Sequence, residues 1–235
     1  MTTLRPVAVV AGAGPGNGAA LARRFSKAGY SIALLARHPP TGALLPLDLP
    51  DARSLECDVG DPTSVERTFA QIRSELGEVD VLLYNAGSGV FANVEAITPD
   101  QFEQAWRVNA YGALLCAQRV ISGMKTKGSG AIIFIGATAS RRGGIKTAAF
   151  APAKAAQRSL AESMARALWP SGIHVALIVI DGVVDLPSSR KAMPDKPTDA
   201  FVDPEGVAEI AYQLCIQGRR AWSFEVEARP YGETW

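Results

Sequence analysis

The sequence is short of the residues that most often carry metal, disulfide or triad chemistry: it has three cysteines and two histidines in 235 residues. Cys57, Cys116 and Cys215 lie far apart, with no CxxC pair and no His/Cys cluster, which argues against a disulfide framework or a metal site. Three reduced, mostly buried thiols and no metal are expected. His174 opens an apolar strand and reads as structural, and with His38 it leaves Ser-His-Asp chemistry only two candidates. Charge of one sign is lacking too. There are 24 Lys+Arg against 23 Asp+Glu, so nothing electrostatic favours a nucleic-acid or membrane-surface partner. The longest apolar runs, such as Val175 to Ile180 and Ala131 to Ile135, are far too short to cross a bilayer. Met1 to Pro6 does not resemble a signal peptide, and a cytoplasmic location is expected. With no linker and no internal repeat, residues 1–235 are expected to form a single α/β domain.

What the chain does have is a glycine-rich stretch near its start. Val7 to Val10 is a β-rich apolar run, followed by Gly12, Gly14, Pro15, Gly16, Asn17 and Gly18, and then a helical pattern from Ala19 to Lys27. Strand, tight turn and helix leave backbone N–H groups at the helix start free to hold an anion, and glycine lets the backbone approach a pyrophosphate where a Cβ would clash. Gly12, Gly16 and Gly18 read as GxxxGxG, while Gly14, Gly16 and Ala19 read as GxGxxA; both readings fit. The second strand, Ser31 to Ala36, ends in Ala36 and Arg37. Dinucleotide folds that bind NAD carry an acid there for the ribose 2′-hydroxyl. None is present, and a guanidinium suits a 2′-phosphate, so NADP is favoured over NAD.

Further on, four prolines between Pro39 and Arg53 predict an irregular crossover to a strand at Ser54 to Cys57. Asp61 and Pro62 open a helix to about Leu76. Val79 to Tyr84 is a fourth strand, closed by Asn85, Ala86 and Gly87. Thr98 to Gln101 is a capping-box signature for a long helix ending near Gly128, with Phe102, Trp106 and Leu114 inward and Asn109 at mid-helix, its bland reading a solvent-facing residue. Ile132 to Ile135 is a strand, Thr147 to Leu168 an alanine-rich helix suited to close helix contacts, and Ile173 to Ile180 a buried strand ending in Asp181 and Gly182. Phe150 and Lys154, four apart, share one helix face. Leu186 to Asp199 shows no periodicity and reads as a substrate-covering loop or surface segment. Asp203 to Glu205 opens a last helix ending near Gly218, and Ala221 to Glu227 is a terminal strand. This alternation predicts a Rossmann-like, doubly wound parallel sheet of about seven strands with helices on both faces, its ligand at the carboxyl ends of the strands.

Taken together, Gly12-xxx-Gly16-x-Gly18, Cys57-Asp58-Val59, Asn85-Ala86-Gly87, Asn109, Lys154 and the Gly182 strand end resemble a compact short-chain dehydrogenase/reductase over essentially the full length. The resemblance implies an NADP(H)-linked oxidoreductase acting on a small-molecule substrate, as a homodimer or homotetramer. It implies that Asp58 binds the adenine amino group, that Val59 lies against the ring, and that Asn85, Ala86 and Gly87 line the cofactor cleft. Lys154 would hold the nicotinamide ribose, and Asn109 would keep a water in a proton relay. The catalytic Tyr-x-x-x-Lys of the family is here Phe150 to Lys154, and its serine, thirteen residues before the tyrosine, is Ala137. The family's Pro-Gly strand end is Asp181-Gly182, and its threonine four residues after the glycine is Leu186. Phenylalanine neither donates nor accepts a proton, and losing a positioned general acid costs roughly a hundred- to ten-thousand-fold in rate. The pattern therefore implies either an altered proton-transfer site or a catalytically inactive NADP(H)-binding sensor or scaffold. Thr138 and Ser140 are substitute donors to consider, although strict strand alternation would aim Thr138 away from Ala137's side. Arg141, Arg142, Lys146, Arg190, Lys191 and Lys196 border the cleft mouth in this reading, either as an anion-binding rim or as solvated surface charge.

Overall fold

A computed structural model describes residues 5–38, 49 and 52–232. Seven strands form one all-parallel sheet in the order β3-β2-β1-β4-β5-β6-β7. They are β1 (Val7–Ala11), β2 (Ser31–Ala36), β3 (Ala52–Glu56), β4 (Val79–Tyr84), β5 (Gly130–Ala137), β6 (Ile173–Ile180) and β7 (Glu225–Ala228). The order reverses beside β1, so the chain leaves the paired carboxyl ends of β1 and β4 toward opposite faces of the sheet and opens the crevice where doubly wound sheets bind ligands. Val9, Leu82, Ile132 and Val175 belong to the core on one face, while Val10, Leu83, Ile133 and Ala176 belong to the core on the other. Burial on both faces explains why these strands read as continuous apolar runs rather than alternating ones.

Helices α2 (Pro62–Glu75), α4 (Gly112–Lys127) and α5 (Phe150–Leu168) cover the first face; α1 (Asn17–Lys27) and α7 (Pro204–Ile216) cover the second. Their starts are set locally. Asp61 accepts from the Thr63 and Ser64 amides to cap α2, and Asp203 caps α7 through Glu205 and Gly206. Thr98 and Gln101 close a reciprocal capping box on α3 (Pro99–Trp106). The cysteines are free, and His174 is buried between the carbonyls of Leu214 and Ser223, each 2.9 Å away, in the structural role expected of it.

Four expectations change. The helix expected from Thr98 to Gly128 is interrupted by a π-helical turn, Arg107–Tyr111, between α3 and α4. Phe102 and Trp106 are exposed rather than inward, with Trp106 stacked flat on Tyr111. The stretch after Leu186 is not aperiodic throughout, since Pro187–Ala192 forms a short helix, α6, and Thr198–Ala200 a 3-10 turn. β7 starts at Glu225, four residues later than expected. The proline-dense crossover of Pro39, Pro40, Pro46 and Pro50 lies outside the described residues.

The α2 cap supplies a stability test. Asp61→Ala removes both side-chain acceptors from the first turn and is expected to cost about 1 kcal/mol in urea unfolding; an unchanged midpoint would contradict the capping role.

Candidate functional site

The site begins where β1 runs into the glycine turn. Gly12 has a φ of +96°, and a Cβ there would stand 2.4 Å from the Ala86 amide nitrogen. A Cβ on Gly18 would stand 2.6 Å from the Gly12 carbonyl oxygen. These two glycines are therefore required by backbone-to-backbone contact. Asn85 reinforces it, donating from Nδ2 to Gly12 O at 2.7 Å. Gly14 differs, because no heavy atom lies within 4 Å of the place a Cβ would take, so the outer side of the turn is open. Leu186 lies over Gly16, where a Cβ would run into Leu186 Cδ2.

One cleft of about 440 Å³ is lined by Gly12, Gly14, Arg37, Asp58, Val59, Asn85, Ala86 and Gly87 among others. A smaller recess continues it along Gly14, Gly16, Asn17, Gly18 and Leu186. The predicted cofactor-edge residues thus come together at the strand ends, apart from Lys154, which lies beneath the cleft, and Gly182. Gly182 lines a neighbouring cavity with Ala137, Thr138 and Phe150; a Cβ on it would meet Pro230 and Val202 at 2.9 Å. Ser88, Val108 and His38 also line the cleft and were missed. They carry no local motif, and only the fold brings them there.

Beneath Gly87 the remaining predicted groups converge. A Cβ on Gly87 would lie 3.4 Å from Asn109 Oδ1 and 3.9 Å from Lys154 Nζ. Asn109 is fully buried, not solvent-facing. Its place in the π turn explains why a poor helix former is tolerated. The wider turn shifts carbonyls off the i−4 ladder, and side chains satisfy them. Asn109 Nδ2 donates to Ala105 O and Ser88 O, the Tyr84 hydroxyl donates to Val108 O, and Gln157 Nε2 donates to Asn109 O at 2.9 Å. Gln157 Oε1 in turn accepts from Lys154 Nζ at 3.1 Å, and Ile135 O accepts from it at 2.8 Å. Gln157 is another group that sequence reasoning missed. Lys154 Nζ also sits 5.9 Å from the centre of the Phe150 ring, as their four-residue spacing predicts. Burial lowers the Lys154 pKa from 10.5 to about 7, because the charged form loses its water.

The second cavity, about 630 Å³, is walled by Phe91, Phe150, Ile180, Val183 and Met193 beside Ala137. The Phe91 and Phe150 rings pack 5.5 Å apart. Of the expected basic rim, Arg142 lines this cavity; Arg141 pairs with Glu225 and Glu227, and Arg190 with Asp185. Ser140 is buried and accepts from the Ala137 amide, so it serves the turn. Thr138 does not follow strand alternation. The chain bends into a 3-10 turn at Thr138–Ser140, and Thr138 becomes part of the cavity wall.

Several features fit a dinucleotide. The turn is open at Gly14, and Asn17 Oδ1 and Asn109 Oδ1 are buried without a hydrogen-bond partner within the protein. Among the described residues no group of His, Cys, Asp or Glu could hold a metal, and no helix is long and apolar enough to cross a membrane.

Comparison with known proteins agrees with this architecture. The family described as short chain dehydrogenase matches residues 6–196. The chain is 32% identical over 183 residues to the 3-oxoacyl-(acyl-carrier-protein) reductase MabA of Mycobacterium avium, covering 77% of this chain and 68% of the relative. It is 29% identical over 215 residues to D-xylose 1-dehydrogenase of Caulobacter vibrioides, covering 90% and 81%. A solved short-chain dehydrogenase from Rhodopseudomonas palustris superposes with a TM-score of 0.82 at 30% identity, covering 96% of this chain and 99% of that one.

The buried lysine predicts a pH signature. Unfolded, Lys154 titrates near 10.5; folded, it titrates near 7. Above the unfolded value both states hold it neutral and burial is free of charge penalty. As pH falls toward 7, only the unfolded chain takes up the proton, so stability is lost, and below 7 the penalty is complete. Relative to wild type, Lys154→Met should therefore gain stability as pH falls from about 10 to about 6, by a few kcal/mol. Urea midpoints of the two proteins across that range check it; a difference constant with pH would refute it.

Proposed function

The chain belongs to the short-chain dehydrogenase family, and from that premise we propose that it is an NADP(H)-dependent oxidoreductase whose proton-transfer site works without the family's tyrosine and serine. The observation that carries this reading is the retained pair beneath the cleft floor: Lys154 and Asn109 keep their buried, mutually anchored places although Phe150 and Ala137 have replaced their usual partners. In this reading Gly12 to Gly18 cradle the pyrophosphate, Arg37 takes the 2′-phosphate, Asp58 and Val59 hold the adenine, and Asn85, Ala86, Gly87 and Gly182 line the cofactor's path. Lys154 holds the nicotinamide ribose. When bound, the nicotinamide supplies or accepts hydride. With a pKa of about 7, Lys154 holds and releases a proton at Nζ near neutral pH, and Asn109 Oδ1 is an acceptor left over for a relay water. The Phe150 and Phe91 rings keep bulk water off that side of the cavity.

A catalytically inactive NADP(H) sensor or scaffold is the second reading, favoured by the joint loss of tyrosine and serine at Phe150 and Ala137. Turnover decides between them. The wild type should reduce or oxidise at least one member of a panel of ketones, enones, imines and alcohols; silence across the panel with intact NADPH binding would leave the sensor. A homodimer or homotetramer belongs to the same proposal, supported by exposed Phe102 and Trp106 on α3 beside alanine-rich α5. A cytoplasmic location does as well.

Cofactor choice is tested by calorimetry. NADPH is expected to bind at least tenfold more tightly than NADH, and Arg37→Ala should abolish the difference through loss of a charge-assisted pair worth roughly 1.5–3 kcal/mol. Equal wild-type affinities would contradict the role given to Arg37.

A further inference from the structure

One residue in the wall of the cavity lined by Phe91 and Phe150, Thr138, is held by a polar partner, Asp181, that the family pattern leaves unexplained. Thr138 donates its hydroxyl proton to Asp181 Oδ1, and Arg229 donates to Asp181 Oδ2. The pair follows from register. β5 and β6 run paired to their last residues, with Ala137 opposite Ile180, so the next residues, Thr138 and Asp181, meet across the sheet end. The 3-10 turn that starts at Thr138 turns its side chain off the alternation of β5 and into the cavity wall. Asp181 is 8% exposed, and Arg142 adds a second cation 3.9 Å from its Oδ1. Asp181 stands where the family's Pro-Gly pattern has proline, so in this reading the carboxylate, like Phe150 and Ala137, is particular to this chain. Phe150 and Ala137 line the cavity, and Asp181 reaches it through Thr138.

Donor and acceptor bookkeeping sets what that space can hold. A hydroxyl has one proton and two lone pairs, and a carboxylate only accepts. With its proton given to Asp181, Thr138 presents lone pairs to the cavity. A ketone oxygen placed against it would set acceptor against acceptor, whereas an alcohol would donate to it. Phe91, Phe150, Ile180, Val183 and Met193 are the apolar members of the remaining wall, which also holds Arg142, Ser189 and Thr147, the last with its hydroxyl proton given to Gly144 O. We propose that Thr138, positioned by Asp181, is the hydroxyl-binding group of this site, and that the substrate is a secondary alcohol with apolar substituents, bound for oxidation. This rests on the oxidoreductase reading above. In balance, the alcohol O–H proton passes to Thr138 Oγ1 as Thr138's own proton passes to Asp181 Oδ1. The carbinol hydride is left for the oxidised nicotinamide, and the C–O bond becomes the carbonyl. Arg142, at the exposed rim, marks the side from which Asp181 exchanges the proton with solvent.

The test uses the full chain with 1-phenylethanol as probe and acetophenone as its ketone. Each is titrated with and without NADP⁺ and followed by methyl NMR shifts of the isoleucine and valine side chains; NADP⁺ binding is measured separately by calorimetry. The alcohol should bind about tenfold more tightly than the ketone, the scale of one hydrogen bond to a charge-supported acceptor. Thr138→Val should bring the two within about twofold, and Thr138→Ser should restore the preference. In Asp181→Asn the closer arginine, Arg229, keeps the amide oxygen in the Oδ2 place, so Nδ2 takes the Oδ1 place and donates to Thr138. Thr138's proton is then freed, and the preference should reverse toward the ketone, a change that a merely structural Asp181 would not produce. Equal affinities in the wild type, failure of either probe to bind, or a preference that survives Thr138→Val would overturn the proposal. If Thr138→Val does not fold, Thr138→Ala takes its place with the same expectation. Failure of NADP⁺ to bind would instead strike at the cofactor reading, since the alcohol preference is read on the free protein as well.

Discussion

A lysine side chain buried at the centre of the molecule constrains everything around it. An ammonium taken out of water needs acceptors, and Lys154 finds them in the Ile135 carbonyl at the end of β5 and the Gln157 amide one turn along α5. Gln157 passes the demand on to the Asn109 carbonyl in the π turn, and Asn109 passes it to Ser88 behind β4. One costly charge thereby ties α5, the π turn and two strand ends into a rigid floor under the cleft. The π turn is the geometric consequence, since a regular α-helix would keep the Asn109 carbonyl for its own ladder.

The glycine-turn edge of the cleft depends on a different constraint, the closeness of two backbones. Gly12 and the Asn85–Ala86 strand end approach to within what a single Cβ would occupy. That contact holds the two halves of the sheet together at their carboxyl ends and leaves Gly14 facing outward. Because it uses no residue of the second cavity, that cavity's wall can vary without disturbing the glycine turn. Phe150 and Ala137 line that cavity, and the glycine turn is built without either of them.

Much of the fold was legible because it rests on local physics. Glycine at the β1 turn, Asp61 and Asp203 as caps, the Thr98–Gln101 box and apolar runs for two-faced strands each act within a few residues. Where the reading failed, the deciding interaction was distant. Phe102 and Trp106 have the spacing of an inward stripe, but α3 ends in the π turn and leaves both rings outside. Asn109 looks like a poor helix former until Ser88, Gln157 and Tyr84 are brought against its turn. Gln157 and Ser88 carry no motif at all. Thr138 appeared misdirected because alternation was extended one residue past the point where β5 stops.

The sequence by itself determined that the chain folds as a doubly wound parallel sheet, which strand ends gather at the cleft, and that Phe150 and Ala137 stand where the resemblance implies a tyrosine and a serine. These depend on residue identity, periodicity and short-range capping, all written along the chain. Only the tertiary structure decided that Lys154 is buried enough to titrate near neutrality, that Asn109 is held in a π turn, and that Thr138 meets Asp181 across β5 and β6. Desolvation and cross-strand register depend on what surrounds a residue in space, and residues as far apart as 138 and 181 carry no trace of that in their local order.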